Sequence, residues 1–158
     1  MDVLDNILNG NSQIVGGQYE RTIDKNNRFV IPSELRDEMP VNTVIRIMKC
    51  PDEASGKCLY VYSEEDWAYL CQSVKSKLTN DEKGRRIARK FATSFVPGKV
   101  DVSGRFTLDK ELKEFAGITD KLMIVSSFNH KEIWSVDAWV KENGVMDDVD
   151  LSDLGIAF

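Results

Sequence analysis

Two five-residue segments of this chain share one pattern, Asp24-Lys25-Asn26-Asn27-Arg28 and Asp101-Val102-Ser103-Gly104-Arg105. The pattern is Asp-x-x-[Asn/Gly]-Arg, and each position has a chemical use. The aspartate can accept hydrogen bonds from backbone N–H groups inside its own turn and so hold the loop rigid. The fourth position is Asn27 or Gly104, the two residue types that best tolerate positive φ, which predicts one left-handed turn geometry in both places. The arginine then projects from the first residue of the outgoing strand. Two roles are open for Arg28 and Arg105. One is a salt bridge to the aspartate of the same turn or of a neighbouring copy. The other is contact with a phosphate or a guanine edge, both of which suit the guanidinium fork. The roles can coexist, since an oriented arginine reads better than a loose one.

Other chemistry is poorly supplied. The one histidine, His130, stands between Asn129 and Lys131 at an expected hairpin tip, where it reads as an exposed surface residue without a catalytic partner. There is no Gly-rich phosphate loop and no G-x-S-x-G. Asp24 and Asp101 are each followed by an arginine that would keep them ionised and unsuited to general-acid work. Cys50, Cys58 and Cys71 are an odd number in no disulfide-like framework, and seven residues between the first two is the wrong spacing for a zinc knuckle. An enzyme, a resident metal, a cofactor and a small-molecule substrate are therefore not expected.

The elements that position the two loops also repeat. YERTIDKNNRFVIPSELR (19–36) aligns without a gap on VPGKVDVSGRFTLDKELK (96–113), 77 residues later. YSEEDW (62–67) aligns on WSVDAW (134–139), 72 residues later, so the second copy lacks five residues, expected at the loop PDEASGK (51–57). Each copy reads as an alternating strand, the turn, a second strand and a short helical turn. Two apolar strands follow, then a helix opened by Ser63 or Ser135, both good N-caps. Trp67 and Trp139 are expected to face inward from those helices as core anchors. Between the copies, Thr79-Asn80-Asp81-Glu82 reads as a capping box with Thr79 as the cap. The helix it opens carries Ile87 and Phe91 on one face and Arg85, Arg86, Arg89 and Lys90 over much of the rest. That basic side reads as a solvated face, with phosphate contact as the alternative.

The net charge of −5 over 158 residues argues at first against nucleic acid. Without the four aspartates after Asn143 and without Asp2 and Asp5, residues 19–143 carry +1. Residues 73–91 hold seven basic groups and two acids, and local potential steers a polyanion more than global charge does. No apolar run approaches the roughly 20 residues of a membrane span. The acidic start MDVLDNILNG has no secretory pattern, so a cytoplasmic, nucleoid-associated protein is expected.

QYERTIDKNNRFVIPSELR resembles the N-terminal motif of the MraZ family, close to H-x-x-D-x-K-G-R-[ILF]-x-[IVL]-P-x-x-[FLY]-R. DVSGRFTLDKEL resembles its second copy, and LTNDEKGRRIARKF its inter-repeat helix. The resemblance runs over roughly residues 14–142. The chain departs from the pattern at Asn27, where glycine is usual, at Arg21, where many members carry histidine, and at Asp109-Lys110, which replaces the proline of the first copy. The resemblance implies a mixed α+β, β-rich fold of the AbrB/MazE/MraZ type. That fold has two tandem swapped-hairpin (double-split β-barrel) repeats related by a pseudo-twofold, with short helices. It also implies ring-like homo-oligomers that bind repeated DNA boxes upstream of the division and cell-wall gene cluster, typically as repressors of their own operon.

On this reading the chain divides into an N-terminal extension (1–15), a first repeat (16–71), a basic inter-repeat helix (72–92), a second repeat (93–143) and an acidic tail (144–158). The ends are expected to be mobile or to contact other copies. DNA contact falls to Arg21, Lys25, Asn27 and Arg28 in the first copy and to Lys99, Ser103 and Arg105 in the second. Asp24, Asp101 and Gly104 structure the loops. The first loop is the more basic and is expected to dominate DNA contact, with the second available for packing or assembly. The competing reading is a protein-interaction module of the antitoxin type using the acidic tail; the duplication argues against it.

Overall fold

The computed structural model describes residues 16–52 and 56–158. The expected N-terminal extension and residues 53–55 of the first-copy loop lie outside them. The first copy supplies β1 (Gln18–Thr22), β2 (Arg28–Val30), a 3-10 turn (Ser33–Leu35), β3 (Val44–Lys49), β4 (Leu59–Tyr62) and α1 (Glu64–Lys77). After α2 (Glu82–Thr93), the second copy supplies β5 (Val96–Lys99), β6 (Arg105–Thr107), α3 (Lys110–Phe115), β7 (Lys121–Ser126), β8 (Lys131–Ser135) and α4 (Val136–Met146). A last 3-10 turn covers Leu151–Leu154. The protein is thus mixed α+β and rich in antiparallel strands. The divide expected at residue 71 falls inside α1.

One antiparallel sheet has the order β1-β7-β8-β4-β3-β5, and β2 and β6 form a separate ribbon. Replacing each strand by its counterpart in the other copy reverses the order of the large sheet onto itself. The first two strands of each copy pair only with the other copy: β1 with β7, β5 with β3, and β2 with β6. Neither copy can therefore satisfy the backbone of its first two strands alone.

The core follows the repeat. Ile23 and Val100, Phe29 and Phe106, Ile31 and Leu108, Leu35 and Leu112, Ile45 and Leu122, and Ile47 and Ile124 are counterpart pairs in one cluster, each residue at most 4% exposed. Each such side chain contributes about 1.5–3 kcal/mol when fully buried. Phe29 and Phe106 meet edge to face across the ribbon at 5.9 Å. A smaller cluster holds Cys50, Cys58, Trp134 and Trp139.

Ser63 and Ser135 cap α1 and α4, accepting from the N–H groups of Asp66 at 3.2 Å and Ala138 at 3.1 Å. Three expectations need correction. The cap of α2 is Asp81, not Thr79: the Asp81 carboxylate accepts from Gly84 N–H at 2.8 Å and from the Thr79 hydroxyl at 2.6 Å. Glu82 instead pairs with Arg86 one turn on. Asp wins because its short carboxylate reaches the third N–H directly, and Gly84 admits the Thr79 carbonyl where a Cβ would stand 1.8 Å away. Second, Trp139 is buried but Trp67 is only half-buried. Trp67 lies flat on Phe91 at 5.4 Å and fastens α1 to α2. Third, His130 is not an exposed tip residue. It is 8% exposed, packed at a tilt against Tyr60 at 4.0 Å, and held between Asn129 at 2.7 Å and Glu132 at 2.9 Å. Lys131 beside it is also buried, paired with Glu38 at 2.8 Å. Its counterpart Leu59 belongs to the apolar cluster, and the counterpart of Glu38, Phe115, packs against that cluster.

Candidate nucleic-acid interface

The two Asp-x-x-x-Arg loops have the same internal geometry. Asp24 Oδ1 accepts from the N–H groups of Asn26 at 2.8 Å and Arg28 at 2.9 Å. Asp101 Oδ1 accepts from Ser103 at 2.9 Å and Arg105 at 2.8 Å. These N–H groups stabilise the ionised form. The Arg28 N–H foremost, then that of Asn26 and the Arg28 charge, hold the Asp24 carboxyl below its usual 3.8 despite some desolvation. Asp101 is lowered in the same way, chiefly by the Arg105 N–H, with the Arg28 charge adding from across the ribbon.

Asn27 sits at φ 62° and Gly104 at φ 76°. This left-handed step aims each carbonyl at the other copy. The Leu108 N–H donates to Asn27 O at 2.7 Å, and the Ile31 N–H donates to Gly104 O at 2.8 Å. The loops are thus hydrogen-bonded to each other's outgoing strands as well as within themselves.

Register places the arginines. Arg28 is opposite Thr107, Phe29 opposite Phe106, and Val30 opposite Arg105. Directly opposed residues share a face, and successive residues alternate. With Phe29 and Phe106 buried, Arg28, Val30, Arg105 and Thr107 form the outer face. The two arginines are diagonal neighbours there, with backbones roughly 7–8 Å apart. Each leans on its own aspartate: Arg28 Nε donates to Asp24 Oδ2 at 3.2 Å, and Arg105 Nε stands 3.6 Å from Asp101 Oδ2. The side chains remain 34% and 38% exposed.

Lys25, Lys99 and Ser103 are exposed around this face. Arg21 lies apart on β1, half-buried, with its guanidinium on the Glu20 carbonyl at 2.7 Å. At the tip of the second loop, where the first carries Lys25, Val102 is 80% exposed. Two residues outside the sequence-based set lie against the loops. Lys113 Nζ donates to Asn27 Oδ1 at 2.9 Å, and the Arg36 guanidinium lies where a Cβ on Gly104 would come within 2.9 Å of it. Arg36 and Lys113 end the ungapped alignment at equivalent positions. That signal was readable, but nothing local says that each cation lies against the loop of the other copy.

Among the described residues, no three His, Cys, Asp or Glu side chains are grouped to hold a metal ion. Cys50 and Cys58 are buried thiols, and burial pushes the Cys58 thiol up, away from reactive thiolate. No helix of the described residues is long and apolar enough to cross a membrane.

The MraZ family model, described as "MraZ protein, putative antitoxin-like", matches residues 14–90. Among curated proteins, the "Transcriptional regulator MraZ" of Caldanaerobacter subterraneus subsp. tengcongensis is 30% identical, over 78% of this chain and 82% of that protein. The protein of the same name from Clostridium beijerinckii is 29% identical, over 89% of this chain and 98% of that protein. The one from Lachnoclostridium phytofermentans is 27% identical, over 90% and 98%. A solution structure from Pyrococcus horikoshii matches 75% of this chain and 95% of its own at 13% identity and a TM-score of 0.34. Transcriptional regulators are not an enzyme class. With relatives aligned through both loops and over most of their own length, this chain belongs to the MraZ family.

Proposed function

We propose that the protein is a sequence-specific DNA-binding transcriptional regulator. In this reading it represses the division and cell-wall gene cluster by binding repeated upstream boxes as a homo-oligomer. The observation that carries the reading is the ribbon: two arginines on one outward face, each held by an ionised aspartate of its own loop. The Arg28 contact uses Nε and leaves the terminal nitrogens of the fork for an outside acceptor. Arg28 and Arg105 then read base edges, while Lys25, Lys99 and Ser103 set register on phosphates, with Asn27 at the turn. Arg21 contributes from β1 only if its side chain leaves the Glu20 carbonyl. One copy offers few cations, so repeated sites and several copies supply the affinity together. The strand order, symmetric on exchange of the two copies, supports reading the fold as two AbrB-like swapped hairpins about a pseudo-twofold.

Binding to the promoter DNA of the protein's own operon, against scrambled DNA at two salt concentrations, tests this. Wild type should prefer the promoter and weaken with salt. Arg28→Ala with Arg105→Ala should lose roughly 10²-fold or more, at about 1–3 kcal/mol for each reading arginine. Preference that survives the double variant would move the site to α2. No preference in folded wild type would leave the protein-interaction module, for which the exposed acidic tail speaks.

A further inference from the structure

The outer face of the β2–β6 ribbon carries two residues that the reading above leaves without a role, Val30 and Thr107. Phe29 and Ile31, on either side of Val30, are buried, whereas Val30 is 40% exposed. Thr107 is exposed between buried Phe106 and Leu108. The two hold equivalent positions in the ungapped alignment of the copies. Both are β-branched and end in methyl groups. β-branching suits a strand, and threonine supplies it on a solvated face with a hydroxyl. Valine instead sets bare methyl groups between two guanidinium-bearing side chains. One valine and one threonine are far below the area that a protein interface needs.

Hydrogen bonding fixes how close these residues stand to the arginines. The Leu108 N–H donates to Asn27 O, and the Ile31 N–H donates to Gly104 O. Asn27 with Leu108 and Ile31 with Gly104 are thus hydrogen-bonded pairs that continue the ribbon register. Pair types alternate along an antiparallel ladder. Arg28 with Thr107 and Val30 with Arg105 are therefore the closer, non-hydrogen-bonded pairs, with Cα atoms roughly 4.5 Å apart. Each arginine has one methyl-bearing side chain directly beside it. Three residues per strand span about 7 Å, the length of two base steps of roughly 3.4 Å. The major groove is about 12 Å wide and admits a two-stranded ribbon. On its floor guanine offers O6 and N7 to an arginine fork, and thymine alone among the four bases offers a methyl group.

We propose that Val30 and Thr107 are specificity-determining residues that pack on thymine C5-methyl groups in the major groove. Each thymine lies in the base pair next to the guanine that the neighbouring arginine reads. Val30 has no acceptor for the cytosine amino group and leaves that donor unpaired, so it selects thymine over cytosine. Thr107 carries a hydroxyl beside its methyl and discriminates less. The inference rests on the DNA-binding reading above and adds thymine to what the ribbon selects.

Replacing the thymines of one promoter box by deoxyuridine, one position at a time, tests it, because only the major-groove methyl is lost. Wild type should bind about fourfold more weakly at the contacted positions, the effect of one methyl-sized group. Val30→Ala should bind the unmodified promoter several-fold more weakly and become indifferent to deoxyuridine at one of those positions. Thr107→Ser should do the same at another. Circular dichroism melts show that both variants are folded, and a merely structural role would not couple either residue to a single base methyl. Wild type that prefers the promoter but ignores deoxyuridine at every position would overturn the proposal and leave the arginine loops standing. Sensitivity that persists unchanged in both variants would also overturn it and move the methyl contact elsewhere, with exposed Val102 at the second loop tip the next residue to change. Wild type without promoter preference would overturn the DNA-binding reading itself, and the methyl contact with it.

Discussion

At the scale of single residues, the loops depend on two devices, an ionised aspartate and a left-handed step. The carboxyls of Asp24 and Asp101 titrate below the usual 3.8 because N–H groups and arginine charge favour their ionised forms. A depressed folded pKa gives stabilisation that is complete above the usual value and is lost as pH falls through the folded one. Amide-exchange protection at Arg28 and Arg105 should thus be constant from pH 7 to 5 and fall only below 3.8. Loss of protection nearer neutrality would mean that other groups hold the loops. The left-handed step separates Gly104 from Asn27. Gly104→Ala adds a Cβ at φ 76° and should cost about 1–2 kcal/mol in denaturant melts. Its approach to the flexible end of Arg36 adds little. Asn27→Gly keeps the left-handed geometry but removes the acceptor of Lys113, so it should cost about 0.5–1.5 kcal/mol, the range of one side-chain hydrogen bond.

At the scale of elements, the ribbon and the strands beneath it are closely fitted. The aromatic Phe106 ring lies against β5, where a Cβ on Gly98 would stand 2.5 Å from Cε2. The ring is 3% exposed. Gly98→Ala should therefore destabilise by about 1–3 kcal/mol through overpacking, read as a lower denaturant midpoint with an unchanged slope. An unchanged midpoint would show that β5 shifts freely. The serine caps, the alternating strands and the short helical turns were legible because each is a local pattern of residue types. The cap of α2 and the site of Trp67 were not. Both turn on which backbone or ring comes close in space, Gly84 against Thr79 and Trp67 against Phe91.

At the scale of the whole molecule, the two copies are one folding unit. β1, β2, β5 and β6 take their partners from the other copy. Fragments 16–78 and 79–158 should therefore each lack a cooperative melt alone and recover sheet signal on mixing, followed by circular dichroism. A fragment that melts cooperatively by itself would contradict the exchanged pairing. Units of this size are marginal in any case, since about 60 residues bury too small a fraction of their surface to stand easily alone.

By itself the sequence determined the duplication, the chemistry of the two turns and most of the core. Those depend on residue type and spacing: Asp24 and Asp101 before a residue tolerant of positive φ, and apolar side chains at matched positions such as Ile45 and Leu122. Tertiary structure alone decided which strand neighbours which, that Arg36 and Lys113 each lie against the loop of the opposite copy, and that His130 and Lys131 lie inside. Alternation along a strand says which face is buried but is silent about the partner. A histidine or lysine can likewise enter the interior only where a distant acceptor meets it, and Glu38 stands 93 residues away from Lys131 in the chain.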